Sequence, residues 1–176
     1  MSLEQQLKQH IRAVPDYPKP GICFRDITPL LANAEAFAAC IDALANRYQD
    51  QQITHVVGIE ARGFIFATAL AYRLQAGFVP LRKPGKLPCA TFQASYALEY
   101  GEDRLELHQD ALSARAKVVL VDDLLATGGT LLAAVQLLKQ AQAQLVECAL
   151  LVELNDLPGA QRLQQQQIPY YTLCQF

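Results

Sequence analysis

Two adjacent carboxylates stand beside a glycine-containing segment in the second half of the chain. Residues 118 to 130 read VVLVDDLLATGGT, so Asp122 and Asp123 follow an apolar run that is typical of a buried strand. The segment Ala126–Thr130 (ATGGT) then leads into a helical pattern. Adjacent glycines let the backbone approach an anion closely, and free amides, the helix dipole and the threonine hydroxyls favour negative charge. The run therefore predicts a phosphate site at a strand tip, with two carboxylates above it.

Other types of site share parts of this pattern. In the simplest, a threonine caps the helix and the two aspartates are merely solvated. A nucleotide-hydrolysing Walker B strand also has four apolar residues followed by two acids. The sequence contains neither the G-x-x-x-x-G-K-[ST] loop that such enzymes need nor the G-x-G-x-x-G of a dinucleotide site, so we discount both classes.

Cations follow two other predicted strands. Arg62 lies in the tetrapeptide Glu60–Gly63 after one strand, and Arg82, Lys83 and Lys86 follow the next. Ligands of open parallel sheets bind outside the carboxyl ends of the strands, and arginine can hold an anionic group through two parallel hydrogen bonds. The three later cations lie on a Pro- and Gly-containing stretch, which makes them a candidate mobile lid. An ordinary surface arginine and a solvated loop are the alternatives.

The residues after this loop change pattern. Alternating apolar residues from Phe92 to Leu107, around a Gly-Glu-Asp turn, predict a β-hairpin. Within it, Glu99 and Tyr100 could reach over the site or lie on the hairpin surface. The three histidines and five cysteines show no metal-ligand spacing and no nucleophile dyad, so we assign them no catalytic role.

Short apolar runs alternate with helical patterns along most of the chain. The predicted strands are 54–60, 78–82, 117–123, 145–154 and 169–174, and the helices are 63–75, 130–142 and a short one near Leu157. This alternation indicates βαβ units, a parallel sheet covered on both faces and one α/β domain over residues 1–176.

Local signals mark several helix ends. Ser2 with Gln5 resembles a capping box, and a first helix should end before Pro15. We expect Asn33 to cap a second helix and Gly77 to stop the helix that precedes it.

Composition narrows the class of protein. About half of the residues (52%) are hydrophobic and 18% are charged, which is typical of a soluble globular chain. The net charge of −2 offers no overall basic field for nucleic acid or an anionic membrane. The first ten residues lack a signal-peptide core, and the five cysteines are scattered and odd in number. We expect a cytoplasmic protein with reduced thiols and no nucleic-acid or membrane partner.

With these pieces in order, the sequence resembles the adenine phosphoribosyltransferase family. VVLVDDLLATGGT is similar to the motif that binds phosphoribosyl pyrophosphate (PRPP), and GICFRDITPLL, GIEARGFIF, LRKPGKLP and ASYALEYG match further family segments in order. The similarity runs from about Asp16 to Glu153. The PRPP motif alone indicates only the type I phosphoribosyltransferases, whereas ASYALEYG with FRDITPLL points to the adenine members.

The resemblance implies a fold with three parts. It implies a Rossmann-like parallel-sheet core with helices on both faces, an N-terminal base-binding hood (about 1–32) and a flexible loop with its hairpin (about 83–108). Family members are usually homodimers.

The resemblance also implies roles for individual residues. Those implied to bind PRPP are Ala126, Thr127, Gly128, Gly129 and Thr130 at the 5′-phosphate, Asp122 and Asp123 at the ribose hydroxyls, and Arg62, Arg82, Lys83 and Lys86 at the pyrophosphate. Mg²⁺ would arrive chelated to PRPP, with no direct protein ligand. The base would lie between Phe24 and Leu124, lined by Arg25 and by Cys23, whose backbone groups would read the purine edge. The expected catalytic residues are Arg62, Asp122, Asp123 and Glu99, the last as the residue that manages the purine proton.

The activity implied is purine salvage, in which adenine and PRPP give AMP and pyrophosphate. A related enzyme acting on xanthine, hypoxanthine or guanine is the nearer alternative, because the phosphate half of the site cannot discriminate bases. A transcriptional regulator that senses PRPP is the alternative from another class. It would need a DNA-binding extension, and only about fifteen residues precede the family segment, with no basic helix-turn-helix among them.

Overall fold

The computed structural model describes residues 2–97 and 102–176. The elements in chain order are α1 (Leu3–Gln9), β1 (Arg12–Val14), β2 (Phe24–Asp26), α2 (Thr28–Ala32), α3 (Ala34–Tyr48), β3 (His55–Ile59), α4 (Gly63–Leu74), β4 (Gly77–Leu81), β5 (Thr91–Ala97), β6 (Glu102–His108), β7 (Lys117–Leu125), α5 (Gly129–Gln140), β8 (Gln144–Glu153), α6 (Gly159–Gln165) and β9 (Tyr170–Gln175).

A five-stranded sheet in the order β4-β3-β7-β8-β9 forms the centre of the molecule. Every neighbouring pair in it is parallel, as the apolar runs predicted. Helices α1, α3 and α4 pack on one face, while α5, α6 and the β5-β6 hairpin pack on the other. The α/β architecture with both faces covered is therefore confirmed. Among the described residues, no helix is long and apolar enough to cross a membrane.

Parallel pairing determines where functional side chains can come close together. The carboxyl ends of β3, β4 and β7 lie at the same edge of the sheet, so the segments that follow them are neighbours in space. Strand β7 is longer than predicted. Asp122, Leu124 and Leu125 continue to pair with β8, so the strand ends at Leu125 and the aspartates lie within it rather than at its tip.

Two predicted helix starts are confirmed. The Gln5 amide donates to Ser2 Oγ (3.2 Å) and the Ser2 amide donates to Gln5 Oε1 (3.0 Å), which completes the capping box. Asn33 Oδ1 accepts from the Ala36 amide at 2.9 Å and caps α3.

The expectation for Gly77 was wrong. Helix α4 ends at Leu74, and Gln75 adopts the left-handed conformation (φ 53°) that terminates it. Gly77 is instead the first residue of β4, where a Cβ would lie 2.7 Å from the His55 ring. A glycine is required there for packing against the neighbouring strand, not for ending a helix.

The small elements of the N-terminal region were not predicted. β1 and β2 form a short antiparallel ribbon, and α2 begins directly after it with proline in its first turn. The predicted hairpin is present as β5 and β6, whose registered pairs run from Thr91–His108 to Ala97–Glu102. Glu99 and Tyr100 lie outside the described residues.

Candidate active site

The two aspartates of β7 form an acidic pair in which Asp122 is half-buried. The Asp123 amide donates to Asp122 Oδ1 at 2.9 Å, and the Asp123 side chain is nearly buried. Burial raises the pKa of both carboxyls above the ordinary value, and the neighbouring Asp123 charge raises that of Asp122 further. The Arg62 guanidinium acts against this rise, since its Nε lies 2.8 Å from Asp123 Oδ2. The pair is thus a concentrated negative charge with an arginine at its edge.

A glycine brings Arg62 to this pair. Arg62 lies at the start of α4, and a Cβ on the next residue, Gly63, would lie 2.8 Å from the Val121 carbonyl oxygen and 2.9 Å from Asp122 Oδ1. Only glycine allows the helix to begin this close to β7. The Glu60–Ala61 peptide bond in the connecting segment is cis.

The predicted phosphate loop lies between β7 and α5. Gly128 has a φ of +81° and precedes the first residue of the helix, so free amides point outward there. A small concavity of about 60 Å³ is lined by Leu124, Leu125, Ala126, Thr127, Gly128, Thr130 and Leu131. This shape and the helix dipole suit a phosphate group.

Helix α6 supports the loop from behind. The Gly159 amide donates to the Ala126 carbonyl at 3.0 Å, and Arg162 Nη1 donates to the Thr127 carbonyl at 2.8 Å. A Cβ on Gly159 would lie 2.3 Å from the Ala126 oxygen. A short helix was expected in this region, but no sequence pattern indicates that it contacts the phosphate loop.

Two of the three cations after β4 meet at one carboxylate. Glu60 accepts from Arg82 Nε at 3.1 Å, from the Lys83 amide at 2.8 Å and from Lys86 Nζ. Burial acts to raise the pKa of Glu60, but the hydrogen bonds from Lys86, the Lys83 amide and Arg82 outweigh it, and the pKa falls to about 2. Glu60 therefore stays ionised and gathers positive charge close to Arg62. The sequence shows it only as part of the tetrapeptide Glu60–Gly63, with no pattern that indicates this role.

The Lys83 ammonium turns away from this group toward the hairpin. It donates to Tyr96 Oη at 2.7 Å and to Asp103, and Tyr96 Oη also donates to Asp103 at 2.9 Å. Burial opposes ionisation of both charged groups, but these hydrogen bonds outweigh it. The pKa of Asp103 is lowered and that of Lys83 is raised.

The hairpin also fastens the backbone of the cationic loop. Arg82 and Glu106 exchange backbone hydrogen bonds of 3.0 and 2.8 Å, and the Gly85 amide donates to Glu106 Oε2 at 3.1 Å. Loop and hairpin are therefore joined along several residues in this structure.

Of the predicted base-binding residues, Phe24 and Arg25 lie on β2, Leu124 lies on β7, and Cys23 directly precedes β2. The Arg62 guanidinium carbon lies 5.4 Å from the centre of the half-buried Phe24 ring, and Tyr17 contacts the same ring edge-on. Leu124 is half-buried between the aspartates and the phosphate loop. Cys23 is exposed.

Arg25 is turned toward the C-terminus. Its guanidinium lies 4.2 Å from the centre of the Phe176 ring, and its buried Nε has no hydrogen-bond partner. The side chain thus supports the ribbon of the hood through a cation–π contact.

Comparisons with known proteins agree with this geometry. A family model described as a phosphoribosyl transferase domain matches residues 26–172. A relative from Chloroflexus aurantiacus, an adenine phosphoribosyltransferase, is 55% identical over 98% of both chains.

The chain belongs to the adenine phosphoribosyltransferase family.

Solved structures of the family have the same fold. The crystal structure of adenine phosphoribosyltransferase from Rhodothermus marinus, 49% identical, covers 99% of this chain and 98% of that chain with a TM-score of 0.92. The enzyme from Saccharomyces cerevisiae, complexed with adenine and an imino-altritol bisphosphate, is 39% identical and covers 97% and 98% of the two chains with a TM-score of 0.91. The type I phosphoribosyltransferase fold implied by the sequence is thereby confirmed.

Proposed function

We propose that this chain transfers the 5-phosphoribosyl group from PRPP to adenine, giving AMP and pyrophosphate in purine salvage. The observation that carries the proposal is the position of Arg62, which contacts the acidic pair through Asp123 and the aromatic ring of Phe24. One side chain thus joins the place where ribose would lie to the place where a base would lie. The adenine bound by the yeast relative supports the choice of base.

The charges of the site suit this reaction. Departure of pyrophosphate from ribose C1 builds positive charge on the sugar and negative charge on the leaving group. Asp122 and Asp123 would lie beside the oxocarbenium-like sugar, while Arg62 and the cations after β4 would face the leaving group. The loop Ala126–Thr130 would hold the 5′-phosphate through its amides and hydroxyls.

The base would be held between Phe24 and Leu124. Stacking on an aromatic ring recognises the purine faces, and backbone groups at Cys23 would read the purine edge. Glu99 remains our candidate for managing the purine proton.

Magnesium fits the site as a companion of the substrate. Among the described residues, no cluster of three or more potential ligands could hold a metal by itself. Mg²⁺ is commonly held by substrate phosphates, so it would arrive chelated to PRPP without a direct protein ligand. When bound, the ion would neutralise charge on the pyrophosphate.

A competition between bases tests the proposal. Protein, Mg²⁺ and PRPP are mixed with adenine, hypoxanthine, guanine or xanthine, and pyrophosphate release is followed. We expect turnover with adenine. Absence of that turnover, or a clear preference for a 6-oxopurine, would overturn the assignment.

We further propose that the chain acts as a homodimer of single-domain subunits. Support comes from α4, which exposes Ile65 (39%) and Tyr72 (86%) two turns apart on the same face. Light scattering should give twice the mass of one chain, and Tyr72→Glu should lower it. A location in the cytoplasm is supported by the five cysteines, all of which are free.

A further inference from the structure

We propose that Glu60 is a positioning residue, which assembles the cations that receive pyrophosphate. The proposal rests on the proposed function, because that function assigns the cations after β4 to the leaving group. Glu60 itself is assigned no contact with substrate.

The contacts of Glu60 point to this role. Both carboxylate oxygens accept hydrogen bonds, and all three donors belong to one five-residue stretch: Arg82 Nε, the Lys83 amide and Lys86 Nζ. The Glu60 side chain is 10% exposed, whereas those of Arg82 and Lys86 are 32% and 46% exposed. The carboxylate is thus covered by the cations it binds, and the cations keep surface for an anion.

The place of Glu60 in the chain strengthens the argument. It directly follows β3 and lies two residues before Arg62, which pairs with Asp123. Through Glu60, the loop after β4 is fastened to the segment that carries Arg62. One carboxylate thereby joins two cationic segments that the sequence separates by about twenty residues.

The negative charge of Glu60 has two opposite effects on pyrophosphate binding. It orders the neighbouring cations, but it also repels pyrophosphate. Its one negative charge is met by two cations, so the group carries net positive charge. Without Glu60, two long side chains and the loop backbone would have to be ordered by the ligand itself, which weakens binding. We therefore expect that ordering outweighs repulsion and that removing the charge weakens pyrophosphate binding.

The Glu60→Gln variant tests this, with Glu147→Gln as matched control. Glu147 also binds an arginine and a second donor, accepting from Arg47 at 2.5 and 2.8 Å and from Tyr48 Oη at 2.7 Å, but it lies near the start of β8, away from the site. We expect KM for PRPP and the Kd for magnesium pyrophosphate to rise about tenfold in Glu60→Gln, about 1.4 kcal/mol. KM for adenine should stay within about twofold in Glu60→Gln, and Glu147→Gln should change none of the three constants.

A double-mutant cycle separates positioning from a general loss of structure. If Glu60 acts through Lys86, Glu60→Gln should weaken pyrophosphate binding much less in a Lys86→Met background than in the wild type. Glu60→Asp, which keeps the charge, should retain part of the affinity and replaces the Gln variant if that one does not fold. Additive effects, unchanged or tighter binding in Glu60→Gln, or an equal loss in Glu147→Gln would each overturn the proposal.

Failure of this proposal is distinguishable from failure of the proposed function. Calorimetric titration with magnesium pyrophosphate needs no turnover of adenine. A wild type that binds pyrophosphate but does not convert adenine would refute only the function. A wild type that binds no pyrophosphate would refute the role of Glu60 as well.

Discussion

Arg62 Nε lies 2.8 Å from Asp123 Oδ2, at the point where the segment after β3 meets β7. The same guanidinium faces the ring of Phe24. The ion pair therefore fixes an arginine between the acidic pair and Phe24, and the positive charge of Arg62 opposes the rise that burial causes in the pKa of Asp123.

Replacing Asp123 by Asn should lower the activity strongly and leave the stability of the fold nearly unchanged. We expect kcat/KM for PRPP to fall at least about 100-fold, because a charge that opposes the oxocarbenium-like sugar is removed. The unfolding temperature should change by less than about 4 °C, since a buried carboxylate with a raised pKa is replaced by a neutral group of equal shape. Steady-state kinetics and a thermal melt check this. A loss of activity accounted for by unfolding at the assay temperature would contradict it.

The acidic pair should also make stability depend on pH. Burial and the charge of Asp123 raise the folded pKa of Asp122 above the 3.8 of an ordinary aspartate. The folded state therefore binds a proton more tightly, so this group favours folding most below pH 3.8, and the benefit is lost as pH rises through the folded pKa. The asparagine in Asp122→Asn does not titrate. The unfolding temperature of this variant minus that of the wild type should therefore increase between pH 5 and pH 8.

The range begins at pH 5 so that the titration of Glu60 does not contribute to it. The effect of Glu60 on stability has the opposite sign. Its pKa falls from 4.5 to about 2 on folding, so its contribution is present above pH 4.5 and lost below it. A difference between wild type and Asp122→Asn that stays constant from pH 5 to pH 8 would refute the prediction for Asp122.

Arg162→Met should loosen the phosphate loop from behind. The lost hydrogen bond to the Thr127 carbonyl is worth about 0.5–1.5 kcal/mol, so we expect KM for PRPP to rise by about two- to tenfold with little change in KM for adenine. Lys139→Met, on α5 and lining the same surface groove as Arg162, is the control and should leave both constants unchanged. Equal effects of the two variants would mean that surface charge, not loop support, is responsible.

Asp103→Asn should release Lys83 from the hairpin. The Lys83–Asp103 pair is about one-third exposed, and such pairs are worth up to about 1 kcal/mol. If Lys83 moves to the pyrophosphate during binding, loss of the competing carboxylate should tighten binding of magnesium pyrophosphate by up to about fivefold. Calorimetric titration measures this, with the exposed Asp110→Asn as control. Weaker binding would show that Asp103 holds Lys83 in its working position.

The opposite signs expected for Glu60 and Asp103 follow from their positions. Glu60 holds Arg82 and Lys86 together, so its loss disperses charge. Asp103 holds the Lys83 ammonium apart from that group, so its loss makes a further cation available.

Features that depend only on neighbouring residues were predictable from the order of the amino acids. The runs around Val57 and Val119 are apolar at consecutive positions and do not alternate with polar residues. Such runs are typical of strands that are covered on both faces, and they predicted the parallel sheet. The adjacent Asp122 and Asp123 and the ATGGT loop are likewise local, because a turn into a helix depends on a few consecutive residues. The five family segments then carried the fold and the choice of base.

The way in which these parts combine depends on contacts between residues that are distant in the sequence. Glu60 and Lys86 are 26 residues apart, and Arg162 and Thr127 are 35 apart. No periodicity or spacing connects such residues, because their contact depends on strand order and on how closely the elements pack. Strand β7 passes through the aspartates because β8 continues beside it, and Gly63 lets α4 begin against β7. The pairing of each cation with a carboxylate is a property of that packing, which local sequence does not encode.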